Sequence, residues 1–120
     1  MNIEEIRDYF ISKKGTTEST PFDEVTLVFK VKNKMYGLMP MNKNVNELSI
    51  NVKCAPEKAI ELREKYPFVL PGYHMSKLHW NTIMVYDALS KKQITKWIDD
   101  SYDLIVAKLP KKIRIELESE

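Results

Sequence analysis

His74 and His79 are the two imidazoles of this 120-residue chain, set as H-x4-H in the segment 68–80. Zinc takes four protein ligands in a structural site, or three and a water in a catalytic one. Within ten residues of the pair there is no cysteine, and the only carboxylates are Glu64 and Asp87 at the limits. The spacing therefore favours one histidine packed beside Trp80 and one hydrogen-bonded near a strand entrance over a metal site. Cys54 is the only cysteine, so no intramolecular disulfide can form. It closes an alternating apolar set, which suits a small buried hydrophobe. A reactive thiolate would need a histidine or a helix N-terminus beside it, and a helix does begin at Pro56. Glu4, Glu5 and Asp8, with Asp23 and Glu24, could offer oxygen ligands to a hard cation. The alternative is that Glu4 and Glu5 stabilise a helix N-terminus, at about 0.3–1 kcal/mol each. With three glycines there is no phosphate-cradling loop, and no nucleophile-elbow or H-E-x-x-H motif occurs. No enzymatic activity is expected.

Two other groupings carry chemistry. Tyr73, His74, Lys77, His79, Trp80 and Asn81 concentrate polar-tipped aromatics, a lysine and an amide within nine residues. Such groups suit phosphate or base contact, and equally a loop that satisfies itself. The second grouping is electrostatic. Residues 1–24 hold three basic against six acidic side chains, a net −3. Residues 26–54 hold Lys30, Lys32, Lys34, Lys43 and Lys53 against Glu47 alone, a net +4. A sheet face lined by Lys30, Lys32 and Lys53 with Ser49 and Asn51 could lie along a phosphate backbone. The same lysines could instead be a solvated face that discourages edge pairing.

The elements that position these groups follow from hydrophobic period. Asn2 and Glu5 form a capping box ahead of Ile3, Ile6 and Phe10, predicting a helix over 3–14. Residues 15–24 read as a polar connection. From Thr26 the period becomes two: Leu27, Phe29 and Val31 alternate with Val28, Lys30 and Lys32. A turn at Lys32-Asn33-Lys34 leads to Met35, Gly37 and Met39. A second turn, Asn42 to Asn46, leads to Leu48, Ile50, Val52 and Cys54. Pro56 opens a helix with the stripe Ala59, Leu62 and Tyr66, stopped by Pro67. Residues 80–86 return to strand. Ser90 and Gln93 then cap a long helix with the stripe Ile94, Trp97, Ile98, Ser101, Tyr102, Ile105 and Leu109. Pro110 ends it, and residues 113–120 read as a frayed, charged tail after one domain over 1–112. The order α-β-β-β-α-β-α predicts an α+β fold, an antiparallel sheet with helices on one face.

Composition agrees with a single packed domain: 43% hydrophobic and 30% charged residues, net charge +2. The sequence pI of 8.6 is too mild to indicate nucleic-acid binding by bulk charge. No apolar run approaches the ~20 residues that span a bilayer, and the N-terminus has no signal-peptide pattern. A cytoplasmic protein, monomeric and without cofactor, is expected.

Over these segments the chain resembles the MmcQ/YjbR family of small bacterial proteins. The resemblance rests on Pro21-Phe22, Val28-Phe29-Lys30-Val31, Val52-Lys53-Cys54, Leu62-Arg63-Glu64 and Tyr66-Pro67. Its most specific part runs from Pro71-Gly72-Tyr73-His74 through Lys77-Leu78-His79-Trp80-Asn81, and it ends in Ser101-Tyr102-Asp103 to Leu109-Pro110. The family implies a frataxin-like α+β sandwich and DNA binding by strand-and-loop wings. Matching positions are Lys30, Lys53, Tyr73, His74, Lys77, His79, Trp80 and Asn81. The chain departs from the family at Phe22-Asp23-Glu24, where a glycine-like turn is usual and where the acids oppose phosphate contact.

Two readings result. In the first, the chain is a non-enzymatic module for double-stranded DNA: Lys30, Lys32, Lys53 and Lys77 meet phosphates, and His79 and Asn81 reach groove edges or sugars. In the second, it is a protein- or small-ligand-interaction module using the loop 73–81. Iron binding by the acidic first helix, on frataxin-like analogy, is a third and weaker expectation.

Overall fold

The computed structural model describes residues 1–41, 48–86 and 89–120. The expected turn from Asn42 to Asn46, with Lys43 and Glu47, and the carboxylate of Asp87 lie outside the described residues. Helix α1 (Ile3–Ser12) opens with the expected reciprocal cap: Asn2 accepts from the Glu5 amide and the Glu5 side chain accepts from the Asn2 amide. Six strands follow: β1 (Thr16–Ser19), β2 (Thr26–Val31), β3 (Lys34–Pro40), β4 (Leu48–Lys53), β5 (Val69–Pro71) and β6 (Trp80–Val85). They form one antiparallel sheet in the spatial order β1-β2-β3-β4-β6-β5. Helix α2 (Pro56–Lys65) lies between β4 and β5, and α3 (Lys91–Ala107) and α4 (Lys111–Glu118) complete the chain. The α+β class matches expectation. The element order is longer by β1, β5 and α4.

Helices and strands meet on one face. Phe29, Val31, Met39, Ile50, Val52 and Ile83 bury against Ile6 and Phe10 of α1, Leu62 of α2, the apolar residues of the expected stripe on α3 from Ile94 to Ile105, and Leu109 just beyond it. Ser101, within that stripe, is a buried polar residue. It accepts from the Lys53 amide at 2.8 Å and donates to the Tyr36 carbonyl at 2.5 Å, tying α3 to β4 and β3. The β2–β3 turn has positive φ at both Lys32 (48°) and Asn33 (66°), the geometry of a two-residue type I′ hairpin whose twist fits its strands. A register shift beside Phe29 and Lys30 breaks the simple alternation expected on β3. Tyr36 joins the helix-side core, while Met35 packs on the opposite face.

Residues 111–118 are helical rather than frayed. Leu117 is buried against Gly15, and Lys32 reaches Glu120 at 2.6 Å. Ile113 and Leu117 stand four apart on one helix face, enough for a docked turn-and-a-half. No described helix is long and apolar enough to cross a membrane.

Candidate phosphate-contact end and aromatic groove

The sheet face away from the helices is not bare. Val28, Leu38 and Trp80 form a second apolar cluster, with Met35 and Met75 packed on it. Met75 arrives because residues 72–79 fold back over the sheet and are stitched down. Gly72 donates to the Trp80 carbonyl at 2.9 Å, and Tyr73 N–H donates to Thr82 Oγ1 at 2.9 Å. Lys77 Nζ donates to the Gly72 carbonyl at 3.1 Å. Gly72 is required here by space: a Cβ would stand 2.7 Å from Trp80 Cβ and 3.0 Å from its carbonyl oxygen. His74 turns the loop with φ of 58°, and its ring lies 4.0 Å from that of Tyr73.

Arg63 of α2 locks this loop from the other side. Its Nε donates to Asn81 Oδ1 at 2.8 Å, and its Nη2 donates to the Lys77 carbonyl. Asn81 Nδ2 donates to the Ala59 carbonyl at 3.2 Å and lies 3.8 Å from Cys54 Sγ. Asn81 is 0% exposed. The expectation that it reaches a nucleic-acid groove is corrected: β6 turns its side chain toward α2, where a buried amide must find partners. It is the brace of the loop.

Lys32 also departs from its expected role. The left-handed turn aims its ammonium at Glu120, so that charge is already paired. Lys30 stays on the outer face, opposite Met35. Lys53 Nζ lies 5.9 Å from the centre of the Trp80 ring. Burial, then the nearby Lys108 and Lys34, lowers the Lys53 ammonium below its ordinary pKa. Lys77 is exposed in the loop, and half-buried His79 uses its backbone to accept from the Cys54 amide. The structure thus keeps Lys30 and Lys53 together on one face, puts Lys77 and His79 in the loop, and removes Lys32 and Asn81. It adds Lys34 and Lys108 around Lys53. Lys108 closes α3, far along the sequence, so no local spacing announced it.

Four lysines carry an ion pair among the described residues. Lys13 meets Asp99, Lys32 meets Glu120, Lys58 meets Glu61 and Lys96 meets Asp100. Among the described residues Lys30, Lys34, Lys53 and Lys108 form no ion pair. At the other end of the outer face lies a groove of about 490 Å³, walled by Phe22, Val25, Tyr73 and Met75 over Leu38 and Asn51. Asp23 sits at its edge, its carboxylate accepting from the Val25 and Thr26 amides at 2.9 and 2.7 Å. These amides, Val25 first, hold its carboxyl below the usual range. Among the described residues no three His, Cys, Asp or Glu side chains converge on a metal-sized space. Burial pushes the Cys54 thiol up to about 11, the opposite of an activated thiolate.

The YjbR family model matches residues 11–104. The chain is 31% identical over 115 residues to the YjbR protein of Escherichia coli K12, covering 95% of each. It is 31% identical over 114 residues to the YyaQ protein of Bacillus subtilis, covering 84% of this chain and 95% of that one. A crystal structure from Deinococcus radiodurans, with a DUF419 domain, superimposes with a TM-score of 0.88 at 32% identity, over 98% of this chain and 88% of that one. A Pseudomonas syringae crystal structure superimposes at 0.74 and 31%, over 87% of this chain and 98% of the other. The chain therefore belongs to the YjbR family of uncharacterised proteins.

Proposed function

We propose that this chain is a non-enzymatic DNA-binding protein that holds the phosphate backbone of double-stranded DNA at the end of the sheet where Lys30, Lys34, Lys53 and Lys108 gather. The observation that carries the reading is that Lys30, Lys34, Lys53 and Lys108 form no ion pair among the described residues, while burial and then the charges of Lys108 and Lys34 lower the Lys53 ammonium. Like charges held together cost stability, and an anion that binds there relieves the repulsion. A phosphate backbone offers anions at regular spacing and releases counterions on binding. Trp80 under Lys53 gives the cation a rigid platform. Sequence-specific readout is not part of the proposal, since no helix presents a row of base-reading side chains. The frataxin-like layering implied by the family resemblance belongs to the same proposal, supported by the packing of the helices on one face of an antiparallel sheet.

Changing Lys53 and Lys108 together to Ala tests it. Binding of a fluorescent duplex should weaken, and the slope of log K against log salt should become shallower by about 1.8, at about 0.9 per phosphate contact. Unchanged affinity and slope would overturn the assignment.

A further inference from the structure

Phe22 and Tyr73 are 64% and 69% exposed, although each is a large aromatic on the same groove. Beneath them Asn51 is 6% exposed, and its orientation is fixed by a relay. Tyr73 N–H donates to Thr82 Oγ1, so the Thr82 hydroxyl directs its own proton to Asn51 Oδ1. The Asn51 Nδ2 hydrogens are left on the groove side, with no hydrogen bond to another described residue. An amide donor at the wall of a groove is available to an acceptor that enters it. The site thus offers two exposed aromatic faces and one fixed donor, which together select a planar ring bearing a carbonyl or ring-nitrogen acceptor.

Charge along the outer face narrows the class. Asp23 marks the groove end, while Lys30 and the Lys53 cluster mark the other. From Thr26 to Lys30 β2 advances roughly 13 Å, and from Asn51 to Lys53 β4 advances roughly 7 Å, at ~3.3 Å per residue. A neutral ring over Asn51 with cations at both distances suits a base whose own phosphate and the next along the chain are both met by lysines. In a stacked duplex the bases leave no gap for Phe22 or Tyr73. We propose that the groove binds an unpaired nucleobase, held between Phe22 and Tyr73 with its acceptor on Asn51 Nδ2, while neighbouring phosphates run to the lysines. The lysine half of this arrangement rests on the function proposed above; the groove half stands on its own residues.

The test compares a labelled 12-nucleotide thymidine strand, an abasic strand of equal length and a duplex by fluorescence anisotropy. The expected result is at least roughly tenfold tighter binding of the thymidine strand than of the abasic one, since stacking of one base is worth about 5- to 150-fold. The double variant Phe22→Ala, Tyr73→Ala, at two exposed positions, should bring the thymidine strand down to the abasic level and leave the salt slope unchanged. Equal binding of both strands by the parent protein, or full thymidine affinity in the double variant, overturns the base site. A salt slope retained in that case keeps the lysine reading. If no strand binds at low salt, the lysine reading falls and 1H–15N spectra with thymidine decide the groove. Shifts at Tyr73 and the Asn51 side-chain amide support a site for a free nucleobase, and unmoved resonances overturn it.

Discussion

Replacing Arg63 by Ala should destabilise the protein by about 2 kcal/mol and loosen the loop that walls the groove. The magnitude follows from what the guanidinium leaves behind. Asn81 is completely buried, so its Oδ1, which accepts from Arg63 Nε at 2.8 Å, cannot turn to water; an abandoned buried acceptor costs about 1–3 kcal/mol. The Lys77 carbonyl, the second acceptor of Arg63, lies in an exposed segment and regains a water at little cost. For a chain of this size about 2 kcal/mol lowers Tm by roughly 8 °C. Urea denaturation gives the free energy, and amide exchange at residues 72–79 reports the loop, which should lose protection ahead of β6. Arg63→Lys should recover little, because one ammonium cannot serve both acceptors in the guanidinium's fork. In a double-mutant cycle with Asn81→Ala, the combined loss should fall short of the sum by at least about 0.5 kcal/mol. A loss below about 0.5 kcal/mol for Arg63→Ala, with loop protection unchanged, would refute the bracing role.

Gly37→Ala should cost about 1–3 kcal/mol by overpacking, since a Cβ would stand 2.3 Å from Phe10 Cε1 and push that ring from its stack on Phe29 at 4.2 Å; urea midpoints check this, and a neutral result would contradict the packing. Glu18 is held below the usual carboxyl range by its hydrogen bond to Arg7. With the folded value below the unfolded one, the unfolded state binds more protons between the two, so this contribution is full above about pH 4.5 and fades as pH falls through the folded value. Glu18→Gln should flatten that part of a stability–pH curve, and an unaltered acid limb would contradict it. Cys54, with its thiol raised from 9.0 to about 11, should react with a disulfide reagent at pH 8 about a hundredfold more slowly folded than in urea, through its thiolate fraction alone; equal rates would show an open thiol.

Much of this was legible from hydrophobic period. The α3 stripe, the inward set Leu27, Phe29 and Val31 of β2 and the inward set Leu48, Ile50, Val52 and Cys54 each repeat long enough to fix their faces, whereas the register shift in the β2–β3 pair put Met35 on the face opposite to the one its spacing implied. β1 escaped because Thr16-Thr17-Glu18-Ser19 has no apolar residue; it is an edge strand held by pairing to β2 and by Arg7 on Glu18. β5 has only three residues, too few for a period. α4 read as a tail because only Ile113, Ile115 and Leu117 interrupt its charges. The site was less legible, since its composition is local but its geometry is not. Lys32 and Asn81 took partners 88 and 18 residues away, and Lys108 joined Lys53 through tertiary packing. The loop 73–81 did stand out by composition, although its function as a groove wall depends on Arg63, which no motif marks.

The most direct test of the lysine-end assignment is the anisotropy of a labelled 25-base-pair duplex titrated with the parent protein from low to physiological salt. With Lys30, Lys34, Lys53 and Lys108 each meeting a phosphate, binding should be micromolar at low salt, with a slope of log K against log salt of about −3.6. No binding at low salt, or a slope near zero, would contradict the account.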